Sequence, residues 1–222
     1  LEISTVSTDE LGLNANYAEG DLAELNFAQS ADVLFVTHPN YPPHELRRLS
    51  GSDDRLANWD WIRYKPTDGP WTDLNADENH KLWPVHIGPG YAVLKSTTPM
   101  FSENDVGRHY ALDQAGADDG DVHRGHCEVL YIQSEYEVEV RIIANFQSEG
   151  EVDGSTSLWR QGAWSNTTGW PRAISFHQNR LWFGGNTNQP QTIWASVTND
   201  YNSFAPNNPD DVSVVRDTDG LN

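Results

Sequence analysis

The stretch Phe176 to Phe204, FHQNRLWFGGNTNQPQTIWASVTNDYNSF, constrains the fold of this chain more than any other. An apolar run (Leu181, Trp182, Phe183) meets a turn (Gly184, Gly185, Asn186). A polar loop then leads to a second apolar run, Ile193, Trp194 and Ala195. The Gly-Gly pair and Pro190 would each interrupt a helical ladder, whereas aromatic runs bounded by Gly, Asn and Pro are the pattern of strands. The stretch therefore reads as a hairpin. The same order occurs earlier in the chain: Leu25-Asn-Phe-Ala-Gln29 leads into Val33-Leu-Phe35 with Pro43 ahead of Leu46, just as Ile174-Ser-Phe-His-Gln178 leads into Leu181-Trp-Phe183 with Pro190 ahead of Ile193. The two hairpins look like copies. Phe27 and Phe176 lie too far apart for neighbouring units of a compact repeat, which recur about every 20–50 residues, so a further segment is expected between them.

The chain around these hairpins is punctuated for β structure. LEISTV at 1–6 reads as a strand followed by a polar loop, and Asp21 to Phe27 as a single helical turn with Asp21 at its cap. Ser30 to Thr37 reads as one apolar strand, and the proline-rich HPNYPPHELRRL after it as a loop. Residues 50–90 are loop-rich, with a strand expected at WDWIRY, 59–64. From Tyr91 short strands follow closely: YAVLKS, RHYAL, HCEVLYIQ and YEVEVRIIANF. The last alternates Val138, Val140 and Ile142 with Glu137, Glu139 and Arg141, which gives one dry and one wet face. Glu149 to Thr156 reads as a polar linker. The expected architecture is all-β: a platform of antiparallel hairpins over 1–90 and 151–222, with a small barrel or sandwich inserted at 91–150. The start at Leu1 and the end at Asn222 suggest a piece of something longer.

Composition bounds the chemistry. The chain has 222 residues, enough to bury a sizeable core, and nine Trp, eight Tyr and seven Phe supply large anchors for it. Its formal charge is −19, from 33 acidic against 14 basic residues. Such a surface repels phosphate backbones and argues against nucleic-acid binding by counterion release. The single cysteine, Cys127, cannot make an intrachain disulfide. No apolar run approaches the roughly 20 residues of a membrane-spanning helix.

Candidate sites fail one by one. His123, His126 and Cys127 are close together but lack the returning second pair of a zinc site, and read as a solvated loop before a strand. Asp118, Asp119 and Asp121 around Gly120 lack the closing Glu of a calcium loop. No nucleophile elbow, P-loop or dinucleotide fingerprint is present. Two carboxylates for glycoside hydrolysis cannot be singled out among so many. Asn166-Thr-Thr168 is a sequon of no evident consequence, and the aromatics alternate as core residues do. Arg172 and Arg180 are expected in structural pairs with carboxylates. No catalytic, cofactor or metal residue is assigned, no cofactor is expected, and the chain is expected not to be an enzyme.

Three segments together carry a likeness: FAQSADVLFVTHPNYPPHELRRL at 27–49, MFSENDVGRHYAL at 100–112, and GAWSNTTGWPRAISFHQNRLWFGGNTNQPQTIWASVTNDYNSF at 162–204. In this order they resemble the tail nozzle or tail tubular proteins of short-tailed phages and prophages. The resemblance implies a β-propeller-like platform holding a small β domain that the FSENDVGR segment opens. It also implies a non-catalytic virion protein of the phage tail, repeated in a closed ring, lining the channel for genome ejection and contacting adaptor and tail-fibre proteins. DNA would pass through without specific binding. The alternative from another class is a secreted β-propeller that binds carbohydrate or acts as a glycosidase.

Overall fold

The computed structural model describes residues 17–48, 59–116 and 122–205. It is an all-β protein of antiparallel sheets, one of them a half-barrel. The first sheet has the order β1 (Asn26–Ser30), β2 (Val33–His38), β3 (Tyr41–Arg48) and β4 (Trp59–Arg63). A single 3-10 turn, Glu19–Glu24, precedes it, with Asp21 accepting the Ala18 N–H at 3.0 Å. The expected strand at 1–6 lies outside the described residues.

Two departures from the sequence expectations fall in this sheet. Residues 30–37 are not one strand, because Ser30 pairs directly with Val33 across a two-residue turn in which Ala31 is left-handed (φ 50°). Residues 38–48 are not a loop, because 41–48 form β3. The prolines are accommodated where the β2–β3 register slips between Val36 and His38: Pro42 and Pro43 sit between the pairs His38–Tyr41 and Val36–His44. A bulge needs fewer ladder donors there, and the Pro43 carbonyl still accepts the Tyr64 N–H at 2.9 Å.

The second sheet has the order β10-β7-β8-β9-β6-β5, from β5 (Leu82–Pro84), β6 (Gly90–Ser96), β7 (His109–Ala115), β8 (Val122–Ser134), β9 (Glu137–Ala144) and β10 (Trp159–Gln161). Its concave face holds Leu94, Tyr110, Leu112, Cys127, Val129, Val138 and Val140, all fully buried. The alternation of β9 places these valines inward and its charged residues outward, as the sequence pattern implied. Paired backbone hydrogen bonds of 2.9 Å between Leu82 and Thr156 draw the two ends of the sheet together. The sheet therefore extends past 91–150 at both ends, because β5 and β10 are laid on its edges. The segment 149–156 is correspondingly more than a linker: it holds one helical turn, α1 (Gly150–Asp153), and the Thr156 bridge.

The third sheet is β11 (Ala173–His177), β12 (Arg180–Gly184) and β13 (Ile193–Ala195). Its β11–β12 turn has both Gln178 (φ 50°) and Asn179 (φ 56°) left-handed, the geometry that matches the twist of a two-residue hairpin. The β1–β2 and β11–β12 hairpins do have the same register, five pairs closed by a two-residue turn. The equivalence runs Asn26 to Ala173 and Ser30 to His177, however, and does not superpose Phe27 on Phe176. Phe27 is 68% exposed, whereas Phe176 packs against Phe35 at 5.7 Å.

The first and third sheets share one aromatic core. Phe35 and Tyr64 meet Leu181, Phe183 and Trp194, with Trp164, Trp170 and Phe204 filling the space between. Trp164 has ring contacts with Phe183 (4.7 Å), Trp194 (5.6 Å) and Phe204 (5.6 Å), mostly edge-to-face. Fully burying one such side chain contributes about 1.5–3 kcal/mol.

Candidate functional site at the junction of the sheets

The three sheets meet around residues 63–70, 105–109 and 161–170. The middle stretch belongs to the FSENDVGR segment, and its residue types have physical reasons. Ser102 donates its N–H (2.9 Å) and hydroxyl (3.0 Å) to Asp105 Oδ2, which fixes a 3-10 turn at Glu103–Asp105. Asp105 Oδ1 lies 2.6 Å from Arg108 Nη1, an ion pair whose side chains are only 3% and 6% exposed. Arg108 also donates to Gln161 Oε1 at 3.1 Å and to the Ser165 hydroxyl. It thereby ties the half-barrel to the segment that enters the aromatic core. Gly107 between them is left-handed (φ 81°), and a Cβ there would lie 2.9 Å from Arg63 Nη1. Only glycine leaves room for that guanidinium.

Arg63 ends β4 and lies over the Trp170 ring, 5.2 Å from its centroid. Burial lowers its pKa from the ordinary guanidinium value, with nearby Glu128 opposing that shift. Glu128 is itself buried on β8 and accepts from Lys65 Nζ at 2.8 Å and from Arg141 Nη2, its register neighbour on β9. Burial alone would raise the Glu128 pKa, but the Lys65 hydrogen bond and the surrounding cations outweigh it and hold the carboxylate below its usual range. Beside these groups, burial pushes the His109 imidazole down to about 4, so it is neutral at pH 7. The groups surround a small cavity of about 40 Å³, which Pro43, Gly69, Pro70, Gly162, Trp164 and Trp170 also line. A shallower depression of about 290 Å³ adjoins it, sharing Lys65, Pro66 and His109 and adding Arg141.

This arrangement is rich in donors and poor in free acceptors. It has no nucleophile with an adjacent base, and no group of three His, Cys, Asp or Glu residues that could hold a metal occurs among the described residues. The residues considered from the sequence lie apart from one another. His123 is exposed, while His126 is buried with Nε2 2.7 Å from the Thr67 carbonyl. Cys127 points into the half-barrel core, where burial pushes its thiol pKa up. All three lie within strand β8 rather than in a loop ahead of it, since β7 pairs with β8 from Val122 onward. The Asp118, Asp119 and Asp121 cluster lies outside the described residues.

One of the two arginines singled out by sequence, Arg172, differs from expectation. Arg180 is buried and donates to the Ser196 carbonyl at 2.8 Å. Arg172 is exposed and forms no ion pair among the described residues, because its neighbourhood uses its backbone instead: its carbonyl accepts Asn26 Nδ2 at 2.9 Å. Arg63, Arg108 and Glu128 were not singled out. The signal for Arg63 was a lone cation in the aromatic run WDWIRY. For Glu128 it was an acidic residue inside the apolar strand HCEVLYIQ.

No family model matches the chain, and no curated protein is detectably similar to it.

Proposed function

We propose that this chain is a structural component of a phage tail, part of a nozzle or tail tube that lines the channel for genome ejection and carries other tail proteins. The observation that carries this reading is the ordered occurrence of the segments 27–49, 100–112 and 162–204, each with a use in holding the fold together. The first and third pack in one aromatic core. The second anchors the half-barrel to them through Asp105 and Arg108. In this reading the two hairpin sheets belong to a propeller-like platform completed by further copies or further chain.

The physics of the role suits the charge. A conduit that gripped DNA would stall it, and a net charge of −19 keeps a duplex from adhering. Ring closure would join unlike surfaces of successive copies. The β2–β3 turn with the start of β3, at 38–45, and the loop at 186–191 are the proposed contacts with other copies or with fibre proteins. The second is braced from within, with Asn186 Nδ2 donating to the Ala163 carbonyl at 3.0 Å.

A second reading, a secreted carbohydrate-binding or glycosidase propeller, draws on Tyr91 and Tyr131, which are 69% and 61% exposed on the half-barrel. Electron microscopy of the purified full-length protein separates the two. Closed rings that stack with tail proteins and leave polysaccharide intact are expected. A monomer that retains or cleaves a polysaccharide would overturn the tail assignment.

A further inference from the structure

We propose that the cavity between Arg63, Trp164 and Trp170 is a binding site for a carboxylate group. One cation without an anionic partner lines it. The Arg63 guanidinium rests on the Trp170 ring and makes no hydrogen bond or ion pair among the described residues. The rings of Trp164 and Trp170 wall the cavity, their N–H groups turned away from its open space and without an acceptor among the described residues. A buried donor group costs free energy unless it is used, on the order of 1–3 kcal/mol. Both tryptophans line the cavity, as does Arg63.

The acidic group that could have served Arg63 is engaged elsewhere. Glu128 lines the same cavity, but its two oxygens accept from Lys65 and Arg141. The local balance is thus three cations to one carboxylate within a chain of net charge −19. A ligand facing Arg63 and Lys65 meets cationic donors, and a carboxylate or a phosphate answers them by accepting only.

Size points the same way. About 40 Å³ holds a few water molecules, at roughly 10–15 Å³ for one. That is the room a carboxylate needs, with its planar face matched to the guanidinium fork. The adjoining depression, lined by Lys65 and Arg141, leaves space for whatever body carries the group. The carboxylate has two possible sources, a free small acid or an acidic side chain of a polypeptide, and the inference is independent of the tail assignment.

The indole N–H signals of the nine tryptophans report on the site by two-dimensional nitrogen–proton NMR of the full chain. Trp164→Phe and Trp170→Phe assign the two relevant peaks. Sodium acetate is titrated against sodium chloride and sodium phosphate at equal ionic strength, followed by an end-capped hexaglutamate peptide. Expected are saturable shifts of both peaks with acetate and not with chloride, weakened at least tenfold by Arg63→Gln. Binding by the peptide at least tenfold tighter per carboxylate than by acetate assigns a polypeptide ligand, and equal binding assigns a small acid. Should Arg63→Gln fail to fold, Arg63→Lys keeps the charge and loses the planar fork, and acetate affinity should fall at least threefold. Absence of saturable shifts, shifts undiminished in the available variant, or tighter binding of phosphate than of acetate would overturn the site.

Discussion

The buried pair Asp105–Arg108 offers a quantitative test of why the NDVGR sequence is present. Asp105→Asn keeps an oxygen for the Ser102 N–H and hydroxyl but removes the charge facing Arg108. The Asn amide would also present hydrogens to a guanidinium that already carries only donors. Arg108 is then left buried and uncompensated, apart from its bonds to Gln161 and Ser165. Losing one partner of a buried pair costs about 3–5 kcal/mol. Arg108→Met leaves the converse, a buried carboxylate supported by Ser102 alone, with a cost in the same range. The double variant removes both charges and exposes neither to an apolar surrounding, so it should cost no more than either single change. Urea unfolding followed by tryptophan fluorescence measures all three. With a slope of about 2 kcal/mol per molar, each single variant should lower the midpoint by about 2 M. The double-mutant cycle should give a coupling energy of about 3 kcal/mol. Additive losses, with the double variant weaker than the unmodified protein by the sum of the two single losses, would refute the argument that the pair acts as a unit.

Two further outcomes follow from the junction and the half-barrel. Gly125 on β8 has no room for a side chain, since a Cβ would lie 2.7 Å from Phe146 Cα and 2.8 Å from the Asn145 carbonyl oxygen. Gly125→Ala should therefore cost about 1–3 kcal/mol, read as a lower thermal midpoint, and an unchanged midpoint would refute the close approach. His109 has its pKa lowered by burial to about 4, while in the unfolded chain it titrates near 6.5. The unfolded state then binds more protons between these values, so this group's contribution is fully present above about pH 6.5 and is lost as pH falls toward 4. The loss is at most about 3 kcal/mol, and His109→Asn should flatten this part of the stability profile measured by urea unfolding from pH 7.5 to 4.5. A profile unchanged by that substitution would show that other groups govern it.

The fold was legible where one residue pattern had one structural solution. Val138, Val140 and Ile142 alternate with charged residues because one face of β9 is dry, and Gly184, Gly185 and Pro190 exclude helix wherever they are placed. The pattern misled where tertiary pairing overrides local chemistry. Pro42 and Pro43 argue for a loop taken alone, yet β3 tolerates them because the bulge opposite removes the need for their donors. The extent of the half-barrel was illegible for a similar reason: β5 and β10 are three-residue strands that exist only through their partners β6 and β7. The candidate site was hidden more deeply. Arg63, Glu128 and the pair Trp164 and Trp170 come from three separate parts of the chain, and no local pattern ties them together. What could have been noticed is that a cation within an aromatic strand needs either an anion or a ring face. Arg63 has a ring.

The placement of cations also links the surface to the interior. Lys65, Arg108, Arg124, Arg141 and Arg160 are all committed to buried or nearly buried carboxylates: Glu128, Asp105 and Asp113. Asp113 alone engages both Arg124, at 2.7 Å, and Arg160, at 3.2 Å. These pairs hold strands of the half-barrel in register and fasten it to the rest. They use five of the 14 basic residues on three of the 33 acidic ones, which leaves the rest of the chain with 9 basic against 30 acidic residues. An acidic excess of this size repels polyanions. The exception is the junction, where Arg63, Lys65 and Arg141 outnumber Glu128. A polyanion as wide as a duplex meets the repelling field of the whole face before any phosphate can reach a cavity of about 40 Å³. A single carboxylate on a narrow stem has no such obstacle once it is within a Debye length, about 8–10 Å at physiological salt. The same distribution of charge can therefore shed DNA and hold an acidic group, because the two act at different ranges.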